Sequence, residues 1–132
     1  MYTLTCESSF DAAHFLTNYN GKCANIHGHR WRVVLSVSGE PLNGMVVDFN
    51  IIKKELKELC DYFDHSFIVE QNSLKEELFN MLNEQFLIRV VPFRTTAENF
   101  AKYFYDELSK KYSVESVAIY ETPNNCAVYS CK

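Results

Sequence analysis

Between Asn25 and Val37 the chain alternates with a period of two. His27, His29, Trp31, Val33, Leu35 and Val37 fall on one face of an extended strand, and Arg32, Ser36 and Ser38 on the other. An earlier stretch does the same, with Tyr2, Leu4, Cys6, Ser8 and Phe10 alternating with Thr3, Thr5, Glu7 and Ser9. This period suits half-buried strands and excludes a helix in either stretch. His14 follows the first strand. Pairing the two as antiparallel neighbours brings its imidazole to those of His27 and His29.

Three imidazoles converging in this way suit a divalent metal, because three protein nitrogens leave a fourth position open for water or substrate, as in catalytic zinc sites. Gly28, between two of them, reads as a place where backbone approaches the ion without a side chain in the way. A His-x-His pair on a strand also occurs as a packed or surface pair. Cys23, four residues ahead of His27, keeps three readings: a small buried hydrophobe, a fourth ligand closing a structural zinc site, or a thiolate activated by nearby positive charge. Its polar flank of Asn20, Gly21, Lys22 and Asn25 favours an exposed loop and the thiolate.

The rest of the chain alternates helix-like and strand-like runs. Pro41-Leu42-Asn43-Gly44 reads as a turn, with a returning piece over Met45–Val47 that ends at Asp48. Ile51, Ile52, Leu56, Leu59, Cys60 and Phe63 recur at helical intervals, so residues 50–62 form an amphipathic helix. A capping box of Ser73 with Glu76 introduces a second helical run over 74–84, flanked by the apolar pieces 67–69 and 87–91. A second box, Thr95 with Glu98, introduces the clearest helix, marked by Ala97, Phe100, Ala101, Phe104 and Leu108. Strands over 114–121 and 127–131 close the chain around the turn Thr122-Pro123-Asn124-Asn125. The expected fold is α+β, a four-stranded antiparallel sheet with helices on one face, in one domain over residues 1–132.

Two carboxylates stand out. Asp64 beside His65 can fix the imidazole tautomer and raise its basicity, provided a turn points both side chains to one place. A helix-ending Asp followed by a solvated His is the plainer reading. Glu121 shares a strand face with the inward Val117 and Ile119. Leaving it buried and unpaired would cost several kcal/mol, so it meets a donor from protein or ligand. A guanine-like or pterin ring offers two parallel N–H donors to one carboxylate, and a structural ion pair is the alternative.

Composition narrows the function classes. A net charge of −4 without a basic run argues against nucleic acid and anionic membrane as main partners. No apolar stretch approaches the length that spans a bilayer, and the N-terminus lacks a signal-peptide layout, so the cytoplasm is the expected compartment. Five scattered cysteines, an odd number, read as reduced thiols.

Taken together, Phe10-Asp11-Ala12-Ala13-His14, Cys23-Ala24-Asn25-Ile26-His27-Gly28-His29, Val47-Asp48-Phe49, Asp64-His65, Thr96-Ala97-Glu98-Asn99 and Tyr120-Glu121-Thr122 resemble the 6-pyruvoyltetrahydropterin synthase superfamily. The three residues between Cys23 and His27 are similar to its 6-carboxytetrahydropterin synthase branch. The resemblance implies a T-fold (tunnelling fold), in which subunits join sheets edge to edge into a barrel, usually as a homohexamer with active sites between subunits. It implies Zn2+ held by His14, His27 and His29, Cys23 as general base, and Asp64 with His65 as proton relay. Glu121 would anchor the pterin, with Thr96 beside it. The implied reaction takes the small-molecule substrate 7,8-dihydroneopterin triphosphate to 6-carboxy-5,6,7,8-tetrahydropterin, acetaldehyde and triphosphate. That makes the chain a carbon–carbon lyase on the route to queuosine and other deazapurines.

Lys22 and Arg30 are the candidates for meeting the triphosphate, since no Gly-rich phosphate loop is present. The segment from Ser66 to Arg94 is longer than expected of compact members, and Phe93-Arg94-Thr95 replaces the Asn-Pro-Thr entry to the last helix. The ending Glu121–Asn125 is as similar to the pyruvoyl branch as to the carboxy branch. A pyruvoyl-type synthase, an aldolase-like relative acting on the same pterin and a zinc-stabilised pterin binder without turnover are therefore the rival readings.

Overall fold

The computed structural model describes residues 1–131. In chain order the elements are β1 (Tyr2–His14), a 3-10 turn (Lys22–Ala24), β2 (His27–Gly39), α1 (Phe49–Phe63), β3 (Ser66–Glu70), α2 (Glu76–Gln85), β4 (Ile88–Val91), α3 (Ala97–Leu108), β5 (Val114–Thr122) and β6 (Asn125–Tyr129). β1 and β2 pair antiparallel over their whole length, from Tyr2 opposite Gly39 to His14 opposite His27. This is the pairing that the alternation predicts.

The sheet is larger than the four strands expected. It has six, in the order β4-β3-β1-β2-β5-β6. The apolar pieces read only as flanks of a helix are β3 and β4, and they pair in parallel, β3 with Ala12 and Ala13 of β1 and β4 with β3. The sheet is therefore mixed rather than antiparallel. Ile68 and Val69 are both buried although they point to opposite faces. A strand covered on both sides carries no period-two signal.

α1 and α3 cover one face. Ile52, Leu56, Cys60 and Phe63 of α1 meet Phe100, Ala101, Phe104 and Leu108 of α3 over Phe10, Trp31, Leu35 and Ile119 of the sheet. Phe10 is central, with ring centroids of Trp31 at 5.8 Å, Phe63 at 5.5 Å and Phe104 at 6.1 Å. Each such buried side chain contributes about 1.5–3 kcal/mol of apolar transfer. The opposite face is polar, with the pairs Thr3–Glu115, Thr5–Ser36, Glu7–Arg32 and Asp11–Arg30 running along it.

Two of the expected helix starts move. Asp48 caps α1 by accepting from the Asn50 N–H. Ser73 caps nothing, because its hydroxyl donates to the Glu70 carbonyl, and α2 starts at Glu76. No residue of α2 is buried. α3 is capped by Thr96, which accepts from the Asn99 N–H, and not by Thr95. Thr95 is turned inward and buried.

Two edges of the antiparallel part stay open. β3 covers β1 only at Ala12 and Ala13, so the side of Tyr2–Asp11 away from β2 has no strand partner among the described residues. β6 ends the sheet at the other side. The five cysteines are free. Among the described residues no helix is long and apolar enough to cross a membrane.

Candidate metal centre and its surroundings

His14 is the last residue of β1 and His27 the first of β2, directly opposite in the register. His29, two residues on, returns to the same face. Ring centroids lie 4.6 Å apart for His14 and His27, 5.2 Å for His14 and His29, and 4.8 Å for His27 and His29. One ligating nitrogen from each falls within 4.8 Å of the others. Trp31 forms the floor, edge-on to His14 at 4.8 Å and to His29 at 5.3 Å.

The chemistry of the donor set fits a cation. The Nε2 atoms of His14 and His29 are buried and have no hydrogen-bond partner. Such atoms normally cost about 1–3 kcal/mol each unless something meets them. Burial, reinforced by the neighbouring imidazoles of His27 and His29, pulls His14 down to about 4. Burial, with His27 beside it, lowers His29 as well. Both are neutral near pH 7 and offer lone pairs. The Nδ1 of His27 lies 2.7 Å from the Asn25 carbonyl, which can only accept, so Nδ1 carries the proton and Nε2 is free.

Gly28 does not play the part expected of it. It sits on the opposite face from the imidazoles, and an added Cβ would meet only the Ala12 carbonyl at 3.8 Å, an ordinary contact. The strand's alternation alone clears the backbone from the cluster.

Cys23 lies in the 3-10 turn between β1 and β2, half-buried, where its carbonyl accepts from the Leu16 N–H at 2.8 Å. It is not part of the group that could hold a metal ion, which among the described residues consists of the three histidines. A closed site with Cys23 as fourth ligand is therefore not formed.

Asp64 and His65 are brought together by the turn that the sequence required. Asp64 ends α1, and His65 adopts a left-handed backbone with φ 56°. His65 Nδ1 is 2.7 Å from one carboxylate oxygen of Asp64, and the other oxygen accepts from the Asp11 N–H at 2.8 Å. That backbone donor, ahead of His65 itself, holds the Asp64 carboxyl below the usual range. The His65 N–H donates in turn to the Asp11 carbonyl at 2.7 Å. The dyad is thus bonded to the open edge of β1, and the His65 side chain is 80% exposed. It is not grouped with the three inward histidines.

Glu121 reaches towards them from β5. Its carboxylate lies 3.7 Å from His29 Nε2. The backbone N–H of Ala97, at the start of α3, favours its charged form. Burial raises its pKa nonetheless, and with His29 neutral the pair is not a salt bridge. Thr96, next to Ala97, keeps its hydroxyl proton free while its oxygen caps α3. Glu121, Tyr120, Arg30, Arg32 and Ser9 line a cavity of about 430 Å³. Arg30 is engaged there by Asp11 at 2.8 and 2.9 Å. Arg32 bonds Glu7 and stacks over Tyr120 at 3.9 Å. Lys22 is exposed.

Sequence reasoning missed Thr95, whose hydroxyl lies 3.0 Å from His14 Nδ1 and 3.1 Å from the Phe15 carbonyl. The available signal was the doubled threonine before Ala97, only one of which can cap the helix.

A family model described as 6-pyruvoyl tetrahydropterin synthase matches residues 3–132. The 6-carboxy-5,6,7,8-tetrahydropterin synthase of Haemophilus influenzae is 34% identical over 98% of this chain and 99% of its own length. The Aquifex aeolicus protein of the same name is 34% identical over 82% of this chain and 75% of its own. Among solved structures, the 6-pyruvoyl tetrahydropterin synthase of Caenorhabditis elegans superposes with a TM-score of 0.72 at 27% identity, covering 99% of this chain and 96% of the other.

Proposed function

The chain belongs to the 6-pyruvoyl tetrahydropterin synthase family, and from that premise we propose that it is a zinc-dependent 6-carboxy-5,6,7,8-tetrahydropterin synthase. It takes 7,8-dihydroneopterin triphosphate to the carboxytetrahydropterin with release of acetaldehyde and triphosphate, a step towards queuosine and other deazapurines. Names borne by relatives that match nearly the whole chain support the branch. The observation that carries the reading is the trio of converging imidazoles with two orphaned Nε2 atoms.

His14, His27 and His29 would hold the zinc. Zinc held there would supply Lewis acidity towards a substrate hydroxyl, which would make the neighbouring proton removable near neutral pH. Cys23, on the turn between the two ligand-bearing strands, takes that proton as general base. Glu121 anchors the pterin N–H groups by its carboxylate, set against the start of α3, and Thr96 offers its free hydroxyl proton alongside. Asp64 orients His65 through the 2.7 Å contact, so that the ring's other nitrogen can exchange a proton with substrate.

His65 reaches that chemistry from a neighbouring subunit. The dyad sits on the open edge of β1, and a second open edge, β6, lies across the turn from the end of β5 that carries Glu121. Joining β6 of one copy to β1 of the next would close a barrel and satisfy both edges. A homohexamer with active sites between subunits, each subunit one domain of residues 1–132, accommodates this arrangement.

The test is incubation of zinc-loaded protein with 7,8-dihydroneopterin triphosphate, reading product mass and acetaldehyde together. Carboxytetrahydropterin with acetaldehyde is the expected result. Pyruvoyltetrahydropterin would instead assign the activity named for the C. elegans structural relative.

A further inference from the structure

A contact between an imidazole nitrogen and a hydroxyl is ambiguous by itself, because either can donate. For His14 the ambiguity is removed by a third atom. Thr95 Oγ1 lies 3.0 Å from His14 Nδ1 and 3.1 Å from the Phe15 carbonyl oxygen. The carbonyl can only accept, so the single hydroxyl proton is committed to it. The Thr95 oxygen then has only lone pairs to present to His14, and Nδ1 must carry the ring proton. Nε2, buried and without a partner, is left as a lone pair facing His27 and His29.

We propose that Thr95 is a positioning residue for the metal centre: its hydroxyl, oriented by the Phe15 carbonyl, sets the tautomer and ring orientation of His14 so that Nε2 is presented to a divalent cation. His27 receives the same service from a backbone carbonyl alone, that of Asn25. His14 cannot, because it ends its strand with the side chain directed into the core, and the acceptor must come from elsewhere in the fold. It comes from the connection between β4 and α3. That connection is held independently of Thr95, since Arg94 donates twice to the Thr17 carbonyl, at 3.0 and 2.7 Å. Thr96 caps α3 on the far side. Thr95 itself is 1% exposed, so its hydroxyl serves no solvent contact. An outer partner of this kind typically raises metal affinity ten- to a hundredfold.

The proposal rests on reading the three histidines as a metal site, and the test separates the two. Side-chain nitrogen NMR of the metal-free native protein near pH 7 is expected to show His14 protonated on Nδ1. Finding the proton on Nε2 overturns the proposal without any variant. Thr95→Val, close in shape but lacking the hydroxyl, is expected to mix the tautomers and weaken zinc or cobalt binding by about ten- to a hundredfold in chelator competition. Thr95→Ser is expected to restore both. If Thr95→Val lowers the melting temperature but keeps the native tautomer and affinity, Thr95 is only a structural tie and the proposal fails. If the native protein binds no divalent metal, the metal-site reading fails and takes the proposal with it, an outcome distinct from metal binding with the proton on Nε2.

Discussion

The three histidines at the end of the β1–β2 pair and the single histidine after α1 show how differently one fold can treat the same side chain. His14 is buried among aromatic rings beside two further imidazoles, with its basicity suppressed to about 4. His65 stands in solvent on a left-handed turn, hydrogen-bonded to a carboxylate. Burial and neighbouring imidazoles make His14 and His29 poor bases and good lone-pair donors. Solvent and Asp64 suit His65 to proton exchange and leave it unable to contribute to a preformed metal cage. The three imidazoles meet within one chain, whereas the dyad lies apart from them on the edge of β1.

The largest difference between the two kinds of histidine is expected at His14. His14→Ala is expected to abolish metal binding and turnover together, whereas His65→Ala should leave zinc affinity at the native value; chelator competition on both variants checks this. Next in size is turnover by the dyad. His65→Ala and Asp64→Asn are each expected to lower kcat by about 10²- to 10⁴-fold with metal content unchanged, the usual span for a general acid or base. If the site spans subunits, mixing inactive Cys23→Ala with inactive His65→Ala after dissociation and reassembly should restore part of the activity. No recovery would place the dyad's function within its own chain.

A pH profile sharpens the contrast. In the metal-free protein the folded state holds His14 down to about 4, while the unfolded chain takes up the proton near the ordinary value of 6.5. The unfolded state therefore binds more protons between those values, and stability should be full above pH 6.5 and fall as pH drops towards 4. The loss is on the order of 3 kcal/mol, at about 1.4 kcal/mol per pH unit. Urea denaturation across this window should show that slope in native protein and in His65→Ala alike. A flat profile would mean that His14 is not desolvated as described. The smallest effects separate the two members of the dyad. Asp64→Ala leaves the Asp11 N–H without its acceptor and is expected to cost about 1–3 kcal/mol. His65→Ala, at an exposed side chain, should stay within about 0.5 kcal/mol by the same denaturation.

Much of this arrangement is legible before any coordinates. The period-two runs before His14 and from His27 place three imidazoles on one face of one strand pair, and the register confirms it residue by residue. α1 and α3 follow equally directly from their 3.6-residue stripes. The parallel strands β3 and β4 do not, since Ile68 and Val69 are buried on both faces and erase the alternation. Ser73 is a further case. A hydroxyl beside a helical run suggests a cap, and only the turn geometry shows that it donates to Glu70 instead.

Local sequence pattern thus dictates which residues share a face, because side-chain direction within a strand or helix follows from local backbone geometry. Which ring atom of His14 and of His27 carries the proton was set by the packed fold. It also decided that Thr95 rather than Gly28 supports the cluster, and that Asp64 and His65 lie on an open sheet edge. Those outcomes depend on hydrogen-bond partners that the chain brings from distant segments, and no local periodicity encodes them.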